Sequence, residues 1–152
     1  MGVDLFVVGG AVGAFWGGPV GWAAFVHCPR TSETHKIVDG EPRAVVDEAD
    51  LKPFAAAIQW WHNKYNSSGI IEVPRVLCVT DAPAVVAAGK TPELRDSSRS
   101  DWRFIDWFER RGYRIEWHWE SRERHPGVIA EAEAVRERLR LDATAATATA
   151  TP

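Results

Sequence analysis

Residues 75–81 read Arg-Val-Leu-Cys-Val-Thr-Asp. Val76, Leu77, Cys78 and Val79 follow one another with no polar residue between them. Such a run predicts a strand buried on both faces, which is the parallel kind that helices cover on either side. The chain before it fits that role. Pro53 stands where a first helical turn tolerates proline, with Asp50 just upstream as a candidate N-cap. Phe54, Ala55, Ala57, Ile58, Trp61 and Tyr65 then recur at helical spacing. Residues 66–69 end that helix, and Pro74 leads into the strand. Asp81 stands just past the strand end, and residues 83–89 predict a short helix.

Working outward toward the N-terminus, residues 3–8 (Val-Asp-Leu-Phe-Val-Val) predict a first strand. Glycines 9, 10, 13, 17, 18 and 21, with Pro19, mark a turn-rich link to a second strand over 21–28. A polar stretch, 29–34, precedes a short third strand at 35–39. Toward the C-terminus, residues 101–112 predict a helix with Phe104, Ile105 and Phe108 inward and Gly112 as its stop. Tyr113, Ile115, Trp117 and Trp119 alternate with Arg114, Glu116 and His118, which reads as a strand. A charged loop, 120–127, leads to a last helix at 128–141 carrying a stripe of Val128, Ala132, Val135 and Leu139. The order β-β-β-α-β-α-α-β-α predicts a mixed sheet with helices on both faces. The two apolar runs at 3–8 and 76–80 are expected to lie adjacent and parallel at its centre.

The chain has 152 residues, enough for one domain with a real core. We read residues 1–141 as that domain and residues 142–152, an Ala/Thr stretch without charge from Ala143 onward, as a low-complexity tail. Net charge is −3, so no global basic field advertises nucleic-acid binding, and any such binding rests on a local patch. Cys28 and Cys78 are too few for a disulfide scaffold and fall in apolar stretches, which fits reduced thiols in the cytoplasm. The apolar start of the chain lacks a basic region, carries Asp4 early and is broken by glycines, so neither a signal peptide nor a membrane span is expected.

Several of these segments resemble the ribonuclease H family. Gly9-Gly10 is similar to the Asp-Gly-Ser turn after that family's first strand. Residues 18–24 (Gly-Pro-Val-Gly-Trp-Ala-Ala) resemble the start of its second strand, and residues 54–58 its first long helix. Val79-Thr80-Asp81-Ala82 resembles its fourth-strand Thr-Asp-Ser, residues 119–126 the loop after its fifth strand, and residues 130–139 its closing helix. The resemblance runs from about residue 3 to residue 139. It implies an α/β domain, a ribonuclease H-like five-stranded mixed sheet with helices on both faces.

Members of that family cut the RNA strand of a hybrid with two divalent metal ions. Mg²⁺ and Mn²⁺ want oxygen ligands, and several carboxylates must converge to hold two of them. Carried over place by place, the first-strand aspartate position falls on Val8 and the helical glutamate position on Pro53. The fourth-strand aspartate is present as Asp81. The last-helix aspartate position falls on Ala132, and the loop histidine on Arg122 or, after a slip, His125. One carboxylate in four is therefore kept. A rearranged set remains open, in which Asp81, Asp50 and Glu131 hold metal, with Asp4, Asp47 and Glu48 as further candidates. Asp4 lies roughly 13 Å along the strand from Val8. Glu131 projects about 100° round its helix from Ala132.

Outside the carboxylates, Arg122, Arg124 and His125 are the best candidates for contact with an anion. Arginines and acids alternate through 95–124, which also describes a solvated, salt-bridged face. Eight tryptophans are many for one small core. Trp60 and Trp61 are adjacent on a helix and point about 100° apart, so at least one is a candidate binding residue. His27, His35, His62 and His118 have no mutual metal spacing.

The reading adopted from the sequence is a degenerate module of this fold, a non-catalytic scaffold. It expects no cofactor, slightly favours a protein partner and keeps weak nucleic-acid binding as the inherited alternative. Two further readings stay open. One is a Mg²⁺- or Mn²⁺-dependent nuclease with a rearranged carboxylate site around Asp81. The other is a structural component of a phage or larger assembly. The arginine- and alanine-rich composition is a codon-bias signature of a GC-rich genome, such as a phage or actinobacterial one, as much as a functional one.

Overall fold

The computed structural model describes residues 2–150. One mixed sheet holds five strands in the order β3–β2–β1–β4–β5. They are β1 Leu5–Val12, β2 Val20–Cys28, β3 Glu33–Glu41, β4 Arg75–Thr80 and β5 Arg114–Trp119. The first three pair antiparallel as a meander. β1 and β4 run parallel, with Leu5 opposite Val76 and Val8 opposite Val79, and β4 runs parallel to β5. The two apolar runs are therefore neighbours at the centre of the sheet, as expected.

Five helices complete the fold: α1 Val46–Ala49, α2 Lys52–Tyr65, α3 Pro83–Lys90, α4 Ser100–Arg110 and α5 Pro126–Ala150. Leu5, Val7, Val76, Cys78 and Trp117 face α2, α3 and α4, where they pack with Phe54, Ile58, Val85, Trp102, Ile105 and Phe108. Val8, Val12, Ala23 and Val79 face the other way, against Val128 and Ala132 of α5. Helices pack on both sides of β1 and β4, leaving only Phe6 and Leu77 of their apolar side chains half-buried, which is why both strands read as unbroken apolar runs.

β1 is longer than expected. It continues through Gly9 and Gly10, which pair with Ala24 and Ala23 of β2, and the turn begins only beyond Val12. The absent side chains make room for helices. A Cβ at Gly9 would lie 2.8 Å from both Phe54 and Pro53, and one at Gly10 would lie 2.9 Å from Ile129. These glycines are close-approach positions rather than turn positions. The turn proper uses Gly17 and Gly18, at φ of 103° and 129°.

The last helix also outruns its expected end at residue 141. It extends to Ala150, although the described side chains from Arg140 onward are all exposed. Alanine is the best helix former, and the threonine hydroxyls bond back into the helix. Thr144 Oγ1 donates to the Arg140 carbonyl and Thr147 Oγ1 to that of Ala143, each at 3.0 Å. Tail residues 151 and 152 lie outside the described residues. Among the described residues no helix is long and apolar enough to cross a membrane.

α5 rests directly on the backbone of β2. A Cβ at Gly21 would come within 1.9 Å of the Ala132 carbonyl oxygen and 2.7 Å of the Arg136 nitrogen. Backbone cannot swing aside as a side chain can. Gly21→Ala is therefore expected to cost on the order of 3 kcal/mol, the upper end for an overpacked site, read from the urea midpoint at unchanged m-value.

Candidate nucleic-acid interface

Parallel pairing brings the C-terminal ends of β1, β4 and β5 to one edge of the sheet. Three connections leave from that edge: the β1–β2 turn, the Asp81–Ala82 link, and the segment from Glu120 to His125. The last contains a short 3-10 turn, Arg122–Arg124. α1 and the start of α2 close the edge, since Ala14 accepts a hydrogen bond from the Val46 nitrogen at 3.2 Å.

Asp81 is fixed from several directions. Its side chain is mostly buried, at 16% exposure. Arg122 Nε donates to Asp81 Oδ2 at 2.7 Å, and Arg122 Nη2 donates to the carbonyl of Ala11 at 3.3 Å. One guanidinium thus ties the end of β4 to the end of β1. Trp119 Nε1 donates to the Asp81 carbonyl at 3.1 Å, so the indole lies over the link. Thr80, fully buried, accepts from the Ala82 nitrogen through Oγ1 and closes the turn.

Asp50 is the second acid of this edge. Burial, then the charges of Asp81 and Asp47, push its carboxyl up to about 7, while Arg99 and Arg122 pull the other way. Arg99 itself is held by the Glu48 carbonyl at 2.7 Å. The pair Asp50 and Asp81 survives from the expected metal set, as two carboxylates that feel one another across the edge.

The remaining expected ligands do not join them. Glu131 pairs with Lys36 of β3 at 2.9 Å. That strand is three places from β4, roughly 14 Å away at the usual strand spacing. Its outward projection on α5 carries Glu131 there. Asp4 lies at the opposite end of β1, bonded to Arg30 at 2.7 Å and to the Arg75 nitrogen at 2.9 Å. Val8 is buried against α5 opposite Val79. Extending the register by two residues sets Gly10, rather than Val8, beside Asp81. That place offers no oxygen, and Ile129 fills the space above it. Pro53 and Ala132 are buried in packing contacts. Among the described residues no three His, Cys, Asp or Glu side chains are grouped to hold a metal ion. A site for two divalent ions does not fit these residues: two carboxylates face a resident guanidinium, and apolar atoms stand where further oxygens would be.

The expected binding residues divide. Arg122 and Arg124 reach the edge, Arg122 committed to Asp81 and Arg124 exposed. His125 Nε2 pairs with Glu120 at 2.5 Å, which ties the loop to itself. Trp61 is a core residue, buried against Tyr65 and Tyr113. Trp60 is half-buried, stacked on His35 at 4.3 Å, further along α2 from the Asp81 edge. The alternating arginines are mainly structural where they are buried. Arg95 bonds Asp106 and Glu109 and the carbonyls of Ala88 and Gly89.

Two surface aromatics were not anticipated. Phe15 and Trp16, 72% and 88% exposed, stand in the β1–β2 turn on the same edge. Trp119 is exposed as well, at 55%. Their signal was present: two large aromatics inside a glycine-rich turn have no regular element to carry them into a core.

No family model and no curated protein matches the sequence. Solved structures do resemble the fold. The N-terminal RNase H domain of Rv2228c from Mycobacterium tuberculosis, solved fused to maltose-binding protein, superposes with a TM-score of 0.73 at 15% identity. The match covers 93% of this chain and 99% of that one. RNase H1 from Halobacterium salinarum gives 0.65 at 13% identity, over 88% and 98%. LC11-RNase H1, in complex with an RNA/DNA hybrid, gives 0.71 at 8% identity, over 88% and 97%. The chain therefore has a ribonuclease H-like fold.

Asp50 makes stability pH-dependent. Its folded-state pKa lies above the ordinary carboxylate value, so folding favours the protonated acid. Below about pH 4 the group is protonated in both states and contributes nothing. As pH rises from about 4 to 7 the unfolded chain ionises first, and stability falls by on the order of 2–4 kcal/mol. Asp50→Asn is expected to exceed the wild type in stability above pH 7, with the gap closing toward pH 4, as measured by denaturant unfolding across that range.

Proposed function

We propose that this chain is a ribonuclease H-like module that binds nucleic acid at the Asp81 edge without cleaving it. The observation that carries the reading is the Arg122 guanidinium on Asp81. A carboxylate already neutralised by a tethered cation is a poor ligand for a second cation, and phosphoryl transfer in this fold needs oxygen ligands in number. Gly10 and the overlying Ile129 support the same conclusion from the β1 side.

What the edge offers instead is a surface for a polyanion. Arg124 is exposed two residues from Arg122, and exposed Phe15, Trp16 and Trp119 stand on the β1–β2 turn and the end of β5 that meet this edge. Stacking on aromatics together with arginine contact to phosphate is how proteins hold unpaired strands. The solved neighbour carrying an RNA/DNA hybrid makes a nucleic-acid ligand the natural first choice. Phe15 and Trp16 also favour a second reading, a protein partner anchored by these two aromatics.

With Mg²⁺ or Mn²⁺ present, an RNA/DNA hybrid is expected to show no cleavage above background in a gel assay. Robust cleavage lost in Asp81→Asn would overturn the non-catalytic reading. Binding is expected to weaken steeply with salt, and Arg124→Ala should reduce the log–log salt slope by about one, the share of one phosphate contact. Tight binding to a protein, insensitive to salt and lost in Trp16→Ala, would favour the second reading.

A further inference from the structure

The Asp81 edge poses an electrostatic problem. Two carboxylates, with Asp47 near them, face the edge that the preceding reading assigns to a polyanion. Such a polyanion approaches only if their charge is neutralised. In two-metal enzymes the ions themselves do this. Here the residues do not fit a metal pair, and a side chain stands in its place.

We infer that Arg122 is the permanent cation of this edge: it substitutes for divalent ions, blocks them, and makes ligand binding there independent of metal. The inference rests on the proposed nucleic-acid reading for its purpose, but its charge logic stands on geometry alone. The guanidinium bonds Asp81 at 2.7 Å and the Ala11 carbonyl at 3.3 Å, so it bridges the ends of β4 and β1. Both of those oxygens are hard donors of the kind Mg²⁺ and Ca²⁺ take. Arg122 is also close enough to Asp50 to oppose the rise in its pKa. The side chain is nearly half exposed and belongs to a short 3-10 turn, so the fold does not hang on it.

Terbium luminescence tests the assignment directly and without nucleic acid. Trp119 lies against Asp81, so an ion held by that carboxylate would be excited through the indole. Wild type and Arg122→Lys, which keeps the charge, are expected to bind Tb³⁺ weakly. Arg122→Gln should bind it about tenfold or more tightly, since one neighbouring positive charge is gone. That gain should vanish in the Arg122→Gln, Asp81→Asn double variant. Thermal unfolding of each variant confirms the fold, and Asp81→Asn alone should bind no better than wild type. Equal affinity in wild type and Arg122→Gln, a gain in Arg122→Lys, or a gain that survives Asp81→Asn would overturn the inference. In parallel, hybrid binding by wild type should be the same in EDTA and in Mg²⁺. Failure to bind a hybrid at all would remove the nucleic-acid reading while leaving the terbium result to decide the role of Arg122.

Discussion

The parallel pairing of β1 with β4 is the constraint on which the rest of the structure depends. It puts two strands at the sheet centre with helices packed on both faces, so their buried positions are apolar or glycine, apart from Thr80, whose hydroxyl is satisfied by the Ala82 nitrogen. It also brings the C-terminal ends of both strands to one edge. Gly9, Gly10 and Gly21 follow from that packing, because α2 and α5 come so close that no Cβ fits beneath them. A carboxylate at Gly10 would have to displace Ile129. The same packing that stabilises the core thus excludes an oxygen ligand from the place nearest Asp81.

What remains at the edge is a balance of a few charges. Asp81 is neutralised by Arg122, and Asp50 is partly neutralised by its own raised pKa. Glu131 has left the set for Lys36, and Asp4 for Arg30. On the proposed reading such an edge admits an anion without recruiting metal, and three exposed aromatics stand on the segments that leave it. Net charge is −3, so any attraction for phosphate arises from this local arrangement rather than from the whole protein.

Most of the fold was legible because its signals are local. The apolar run at 76–79, the helical spacing from Phe54 to Tyr65 and the alternation from Tyr113 to Trp119 each declare an element, and their order declares the sheet. The glycines misled, since a glycine pair after an apolar run reads as a turn. Only the strand pairing and the facing helices show Gly9 and Gly10 to be strand residues, and that two-residue difference sets Gly10, rather than Val8, beside Asp81. The long α5 was hidden because Ala/Thr repeats look like low complexity, while alanine propensity and hydroxyl back-bonding favour a helix.

The site was legible in part. Asp81, Asp50, Arg122 and Arg124 do gather at one edge, because strand ends and the loops that leave them share it. Glu131 and Trp61 do not, and their placement depends on rotation about helix axes that sequence spacing leaves open. No sequence pattern announces that an arginine in a loop will bond an aspartate 41 residues earlier. That contact comes from two connections converging on one edge, and it changes the chemistry expected of Asp81 more than any substitution does.

The most direct measurement is a crystal structure soaked in Mn²⁺, with anomalous scattering inspected around Asp81. The account predicts no anomalous peak within coordination distance of Asp81 or Asp50, with the Arg122 guanidinium in place on Asp81. A pair of manganese peaks bridged by Asp81, with Arg122 swung away, would contradict it and restore the enzyme.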